Sequence, residues 1–146
     1  MLTLQSPQNG NDHSSVSILI GRKHPVSNAV HQASKEPAEG RKAFWSWLYD
    51  FEYDKLSLPR PDLIIYLDMP TDFTEKLMRH RESSTGTTAD IHEKDMQYLA
   101  TCRQIGRAAA NFYGWTVISC VKDGAMRTID DIHQEIYSYV KSCLEA

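Results

Sequence analysis

Asp62-Leu-Ile-Ile-Tyr-Leu-Asp-Met-Pro70 decides the fold class. Its apolar run from Leu63 to Leu67 is nearly continuous, as in strands of a parallel sheet that is buried on both faces. Proline at position 70 removes a backbone donor and closes the run. On either side the spacing changes from strand to helix. Phe44, Trp47, Leu48 and Phe51 recur at i, i+3, i+4 and i+7, one apolar face of a helix expected from Pro37 to about Lys55. After Pro70, Thr71 can cap a helix reaching Arg81.

Working outward, Val16-Ser-Ile-Leu-Ile20 reads as an earlier buried strand and Ser27–Ser34 as a short helix. Glu82–Ala89 is a Ser/Thr/Gly loop, and a long helix is expected from Asp90 to about Phe112. Trp115–Cys120 is a third strand. Thr128-Ile-Asp-Asp131 is a capping box for a terminal helix whose stripe is Ile132, Ile136, Val140 and Leu144. Strands alternating with long helices specify an α/β fold with a parallel sheet and helices on both faces. About three strands are legible, fewer than the usual four to six. Residues 1–15 are polar and turn-rich over most of their length and read as a disordered tail, with one domain over 16–146.

Composition narrows the function classes. Sixteen Lys and Arg against 19 Asp and Glu leave a formal charge of −3, which argues against a protein organised around a nucleic-acid backbone. No apolar stretch approaches the roughly 20 residues of a membrane helix. No secretory leader pattern opens the sequence. Three cysteines without a CxxC pair fit reduced thiols in a cytoplasmic protein rather than a disulfide framework or a structural zinc site.

Several side chains carry possible chemistry, each with a plainer reading. Asp68 stands at the carboxyl end of a parallel strand, where α/β sheets bind ligands, though such carboxylates also cap the next helix. Asn28 and Gln32 are one helical turn apart, so both amides share a face, which suits either solvent or the edge of a planar ring. Arg79 and Arg81 precede the Ser/Thr/Gly loop and Asp90-Ile-His-Glu93 follows it. Charges so placed suit helix ends and also suit a lid over phosphates. The alternating aromatics Trp45, Trp47, Tyr49, Phe51 and Tyr53 suit core packing or a dimer interface. A metal-dependent hydrolase on His80, His92 and Glu93 matches no standard ligand spacing.

The runs SNAVHQ, PRPDLIIYLDMP, RHRESSTGTTADIHEKD and GWTVISCVKDGAMRTIDDIHQEI together resemble thymidylate kinase, over about Ser27 to Tyr139. That resemblance implies a three-layer P-loop-kinase-like sheet of strand order 2-3-1-4-5 and transfer of the γ-phosphoryl group of MgATP to dTMP. It assigns Asn28 to the thymine edge, with Ser27, His31 and Gln32 nearby. It places Arg79 and Arg81 at the lid over the phosphates and Asp90 and Glu93 on the helix returning from it. Val121, Lys122, Asp123 and Gly124 would form the loop beside adenine, and a homodimer would form through the aromatic helix.

The chain also departs from the family. None of its seven glycines is followed by lysine, so no G-x-x-x-x-G-K-[ST] phosphate loop occurs in these 146 residues. Arg22, Lys23 and His24 stand where the family carries Asp-Arg-aromatic, leaving Lys23 as a point charge for phosphate. The expectation is therefore a truncated, C-terminal portion of the domain that lacks the central strand. It would bind dTMP or dimerise without transferring phosphate by itself, or be a remnant without function.

Overall fold

A computed structural model describes residues 2–4, 26–85 and 93–145. Its elements run β1 (Leu2–Leu4), α1 (Val26–His31), a 3-10 turn (Ala33–Lys35), α2 (Arg41–Tyr49), a π-helical segment (Asp50–Lys55), β2 (Leu63–Asp68), α3 (Thr71–Thr85), α4 (Glu93–Tyr113), β3 (Thr116–Ser119), β4 (Val121–Lys122), β5 (Ala125–Met126) and α5 (Ile129–Glu145). The chain is mixed α/β.

The decisive run forms the middle strand of a three-stranded sheet, β1-β2-β3. β2 and β3 are parallel, with Ile65 opposite Thr116 and Leu67 opposite Ile118. The expectation of a purely parallel sheet is corrected at the other edge. Leu2–Leu4, inside the stretch read as a tail, pairs antiparallel with β2, Leu2 opposite Ile65 and Leu4 opposite Leu63. Those residues satisfy backbone groups of β2 that would otherwise form an open edge. The strand expected at Val16–Ile20 lies outside the described residues.

Side chains alternate across β2. Tyr66 and Asp68 meet α4: Tyr66 donates from its hydroxyl to the Arg103 carbonyl oxygen at 3.4 Å, and Asp68 pairs with Arg103. Here α4 comes so close to the sheet that a Cβ on Gly106 would lie 2.5 Å from the Tyr66 hydroxyl. Glycine is what permits that approach. Ile65, and Ile118 beside Leu67, point to the opposite side and are fully buried. α5 crosses both strands.

The other half of the core joins three helices. Ala29 and Ala33 from the first helical turns, Trp45 and Leu48 from α2, and Ile105 and Ala109 from α4 form one buried cluster. The small alanines let the backbones approach, and Trp45 fills the space between them. The Trp45 indole N–H donates to the Ala29 carbonyl oxygen at 2.8 Å, and the Tyr113 hydroxyl donates to the Trp45 carbonyl oxygen at 2.7 Å. Both polar tips are thereby satisfied on burial.

Four boundaries differ from those read in the sequence. The helix expected at Pro37 starts at Arg41, with residues 38–40 in a turn and Gly40 as N-cap. Its last third is π-helical, with Leu56 N–H donating to the Phe51 carbonyl oxygen at 2.9 Å, an i→i+5 bond. Residues 82–85, expected in the loop, continue α3. The expected adenine loop is a β-hairpin, β4 against β5, turning at Asp123 and Gly124, both at positive φ. That is the twist two-residue hairpins favour. At α5 the expected cap holds, with the Asp131 N–H donating to the Thr128 hydroxyl at 3.1 Å. The return half of the capping box does not form, because Asp131 pairs with Arg127 instead.

Candidate functional site

α1 and the π-helical segment face each other across an open groove of about 530 Å³. Asn28 and Gln32 line one wall, one turn apart and both exposed. Phe44, Trp47 and Phe51 line the other. Trp47 and Phe51 are stacked, with centroids 5.2 Å apart and planes 11° from parallel, and Phe44 packs 5.9 Å from Trp47. Trp47 is 55% exposed, an aromatic surface open to a ligand or a partner.

Beneath the groove lies Glu52, only 6% exposed. It lies in the π-helical segment, where both Glu52 and Tyr53 are buried. Burial pushes the Glu52 carboxyl above its ordinary pKa, and a hydrogen bond from the Asn28 side chain pulls in the opposite direction. No Lys, Arg or His lies within salt-bridge distance of Glu52 among the described residues. On its far side Glu52 borders a smaller cavity of about 130 Å³ with Tyr49, Tyr53, Tyr113 and Trp115. Burial, with the Glu52 charge adding to it, pushes the Tyr53 hydroxyl up to about 12. Arg60 closes this side, 5.0 Å over the Tyr49 ring and paired with Asp54 at 2.6 Å.

A second polar cluster sits at the carboxyl end of β2. Asp68 is 6% exposed and accepts two bonds from Arg103, from Nε at 2.7 Å and from Nη2 at 3.0 Å. Arg107 Nε stands 3.8 Å away. The strand-end carboxylate thus neither caps α3 nor stands free for a ligand; it anchors α4 to the sheet. Arg103 and Arg107 bound an open cleft of about 330 Å³ with Thr71 and Gln104. Two arginines at i, i+4 on one helix face were the sequence signal for this cluster.

The remaining expected residues scatter. His31 leaves the groove and meets the Tyr98 hydroxyl through Nδ1 at 3.2 Å. Ser27 precedes Asn28 on α1 and does not line the groove. Arg79 is exposed on α3 and ion-paired with Glu75. Arg81 lies in α3, and α4 begins at Glu93. Val121, Lys122 and Asp123 belong to the hairpin. Lys23 and Asp90 lie outside the described residues. Of the expected binding set, then, the structure brings Asn28 and Gln32 together. It adds Glu52, which the sequence reading did not single out. The cysteines Cys102, Cys120 and Cys143 are free thiols.

Comparison with family models, curated proteins and solved structures returns no match. Among the described residues no helix is long and apolar enough to cross a membrane, and no three His, Cys, Asp or Glu side chains gather as metal ligands.

Proposed function

We propose that this chain is a thymidylate kinase-like nucleotide-binding protein of the cytoplasm, with a P-loop-kinase-like ancestry, that holds dTMP in the groove between α1 and the π-helical segment. The observation that carries this reading is the pairing of two amides one turn apart, Asn28 and Gln32, with the stacked rings of Trp47 and Phe51 in one open groove. Amides read the polar edge of a planar ring, and an aromatic surface takes its face.

The family's MgATP does not fit the residues present. No phosphate-cradling loop with its lysine occurs in the 146 residues. The reading is accordingly one of dTMP binding without phosphoryl transfer by this chain alone. A homodimer through the exposed Trp47 and Phe51 is the second reading, favoured by the same aromatic surface.

Calorimetric titration of dTMP into the purified chain, after a check for cooperative unfolding, tests the proposal. Saturable binding weakened about tenfold or more by Asn28→Ala, without turnover of ATP, is the expected result. A cooperative melt with no heat of dTMP binding overturns it, and a concentration-dependent dimer in that case selects the second reading.

A further inference from the structure

We infer that the small cavity on the far side of Glu52 binds a methylated ammonium cation, with Glu52 as counter-ion and the rings of Tyr49, Tyr53, Tyr113 and Trp115 as its wall. The cavity stands apart from the groove beside Asn28, and its ligand does not depend on what that groove holds.

The cavity, about 130 Å³, is bordered by Ile64 near the start of β2, the end of the strand opposite Asp68. One water needs only about 10–15 Å³, so a head group of several heavy atoms has room. A drug-sized ligand, which takes roughly 300–1,000 Å³, does not. Four rings in succession form the wall. Tyr53 meets Tyr49 at 4.7 Å with planes tilted by 60°, Tyr49 stacks on Tyr113 at 6.0 Å, and Tyr113 stacks on Trp115 at 5.3 Å. The negative face of such a ring attracts a cation, most strongly where water is excluded. At the mouth two of the rings already do so: the Arg60 guanidinium carbon lies 5.0 Å over Tyr49 and 5.6 Å over Tyr53.

Among the described residues, two charged side chains line the cavity, Glu52 and Arg60. They do not neutralise each other. Arg60 is held at the mouth by Asp54 at 2.6 Å and by the Tyr49 hydroxyl at 2.7 Å, so its charge is matched there. Glu52 is buried and has no cation within salt-bridge distance among the described residues. A buried carboxylate without a counter-charge is costly, and a cation entering the cavity offsets that cost. A neutral ligand of the same shape would leave the cost in place. A quaternary ammonium suits this wall better than a primary one. It carries no N–H, so it gives up less hydration on entering a site made of ring faces.

Choline and dimethylbutanol, its neutral isostere with a quaternary carbon in place of the nitrogen, are the probes. Calorimetric titration into the intact chain should show choline bound about tenfold or more tighter than the alcohol. Glu52→Gln keeps the shape and removes the charge; it should weaken choline about tenfold and change the alcohol by about twofold or less. Tyr53→Phe keeps the ring and should hold choline within about threefold of wild type. A wild-type chain that binds both probes equally, or neither, overturns the inference without recourse to any variant. So does an unchanged choline affinity in Glu52→Gln. The dTMP titration is a separate reading, so failure here leaves the nucleotide groove standing, and failure there leaves this cavity.

Discussion

α4 and α5 are both long helices laid against β2 and β3, yet they are held in opposite ways. α4 buries Cys102, Ile105, Ala109 and Ala110 and comes close enough over Tyr66 to require glycine at 106. α5 carries the clearer apolar stripe, and none of its 17 residues is buried. Ile129 is 86% exposed and Tyr137 57%. Polar contacts at its first turns hold it instead: Arg127 pairs with Asp131 and Glu135 and donates to the Ser119 carbonyl oxygen at 2.9 Å. Periodicity therefore tells which face of a helix is apolar; the depth of burial depends on how much partner surface waits for that face. Small residues on α4 buy close approach, whereas the bulkier stripe of α5 lies over a narrow sheet.

The comparison can be broken most forcefully at the polar anchor of α4. Arg103→Ala leaves the buried Asp68 carboxylate facing only Arg107 at 3.8 Å, and should destabilise the chain by about 3 kcal/mol in urea denaturation. Adding Asp68→Asn should recover a large part of that loss, since the penalty lies in the orphaned charge. A double variant no more stable than the single one would place the loss in packing.

Truncation of matched aliphatic residues sharpens the contrast. Ile105→Ala on α4 should cost about 3 kcal/mol, the range for a fully buried aliphatic side chain. Ile136→Ala on α5 should cost about 1 kcal/mol, because the residue is only half-buried. Equal losses in denaturant midpoints would show that the two helices contribute alike. An equally small effect is expected at the α5 cap, where Thr128→Ala removes the bond to the Asp131 N–H and should cost about 1 kcal/mol. Amide exchange should report that loss mainly within α5, with α4 unchanged.

The elements that were legible in the sequence are those that satisfy a local rule. β2 was legible because five apolar residues in a row between Asp62 and Asp68 admit few alternatives, and the α5 start because Thr128 carries its own capping signal. The β4–β5 hairpin also had a local signal, the Asp123-Gly124 pair at its turn. β1 had none: Leu2-Thr-Leu4 becomes a strand only because the edge of β2, some 60 residues on, needs a partner. The start of α2 shifted because Pro37 suits a first turn in isolation while Gly40 makes the turn actually used. The site divides likewise. Asn28 and Gln32 share a face by spacing alone, whereas Glu52, on a later element, joins them only in the folded chain. Asp68 was visible as a strand-end carboxylate; its partner Arg103, 35 residues later, was not.

The π-helical segment gives the chain a sensitivity to length rather than to composition. A turn with i→i+5 bonds holds one residue more than an α turn, so removing a single residue between Asp50 and Lys55 would let the segment close into ordinary α-helix. The helix beyond the deletion would keep its facing, because the residue removed is the one that the wider turn had accommodated. What would be lost is the widened turn from which Glu52 borders the groove and Tyr53 the smaller cavity. In this part of the chain, the count of residues is itself a determinant of the site.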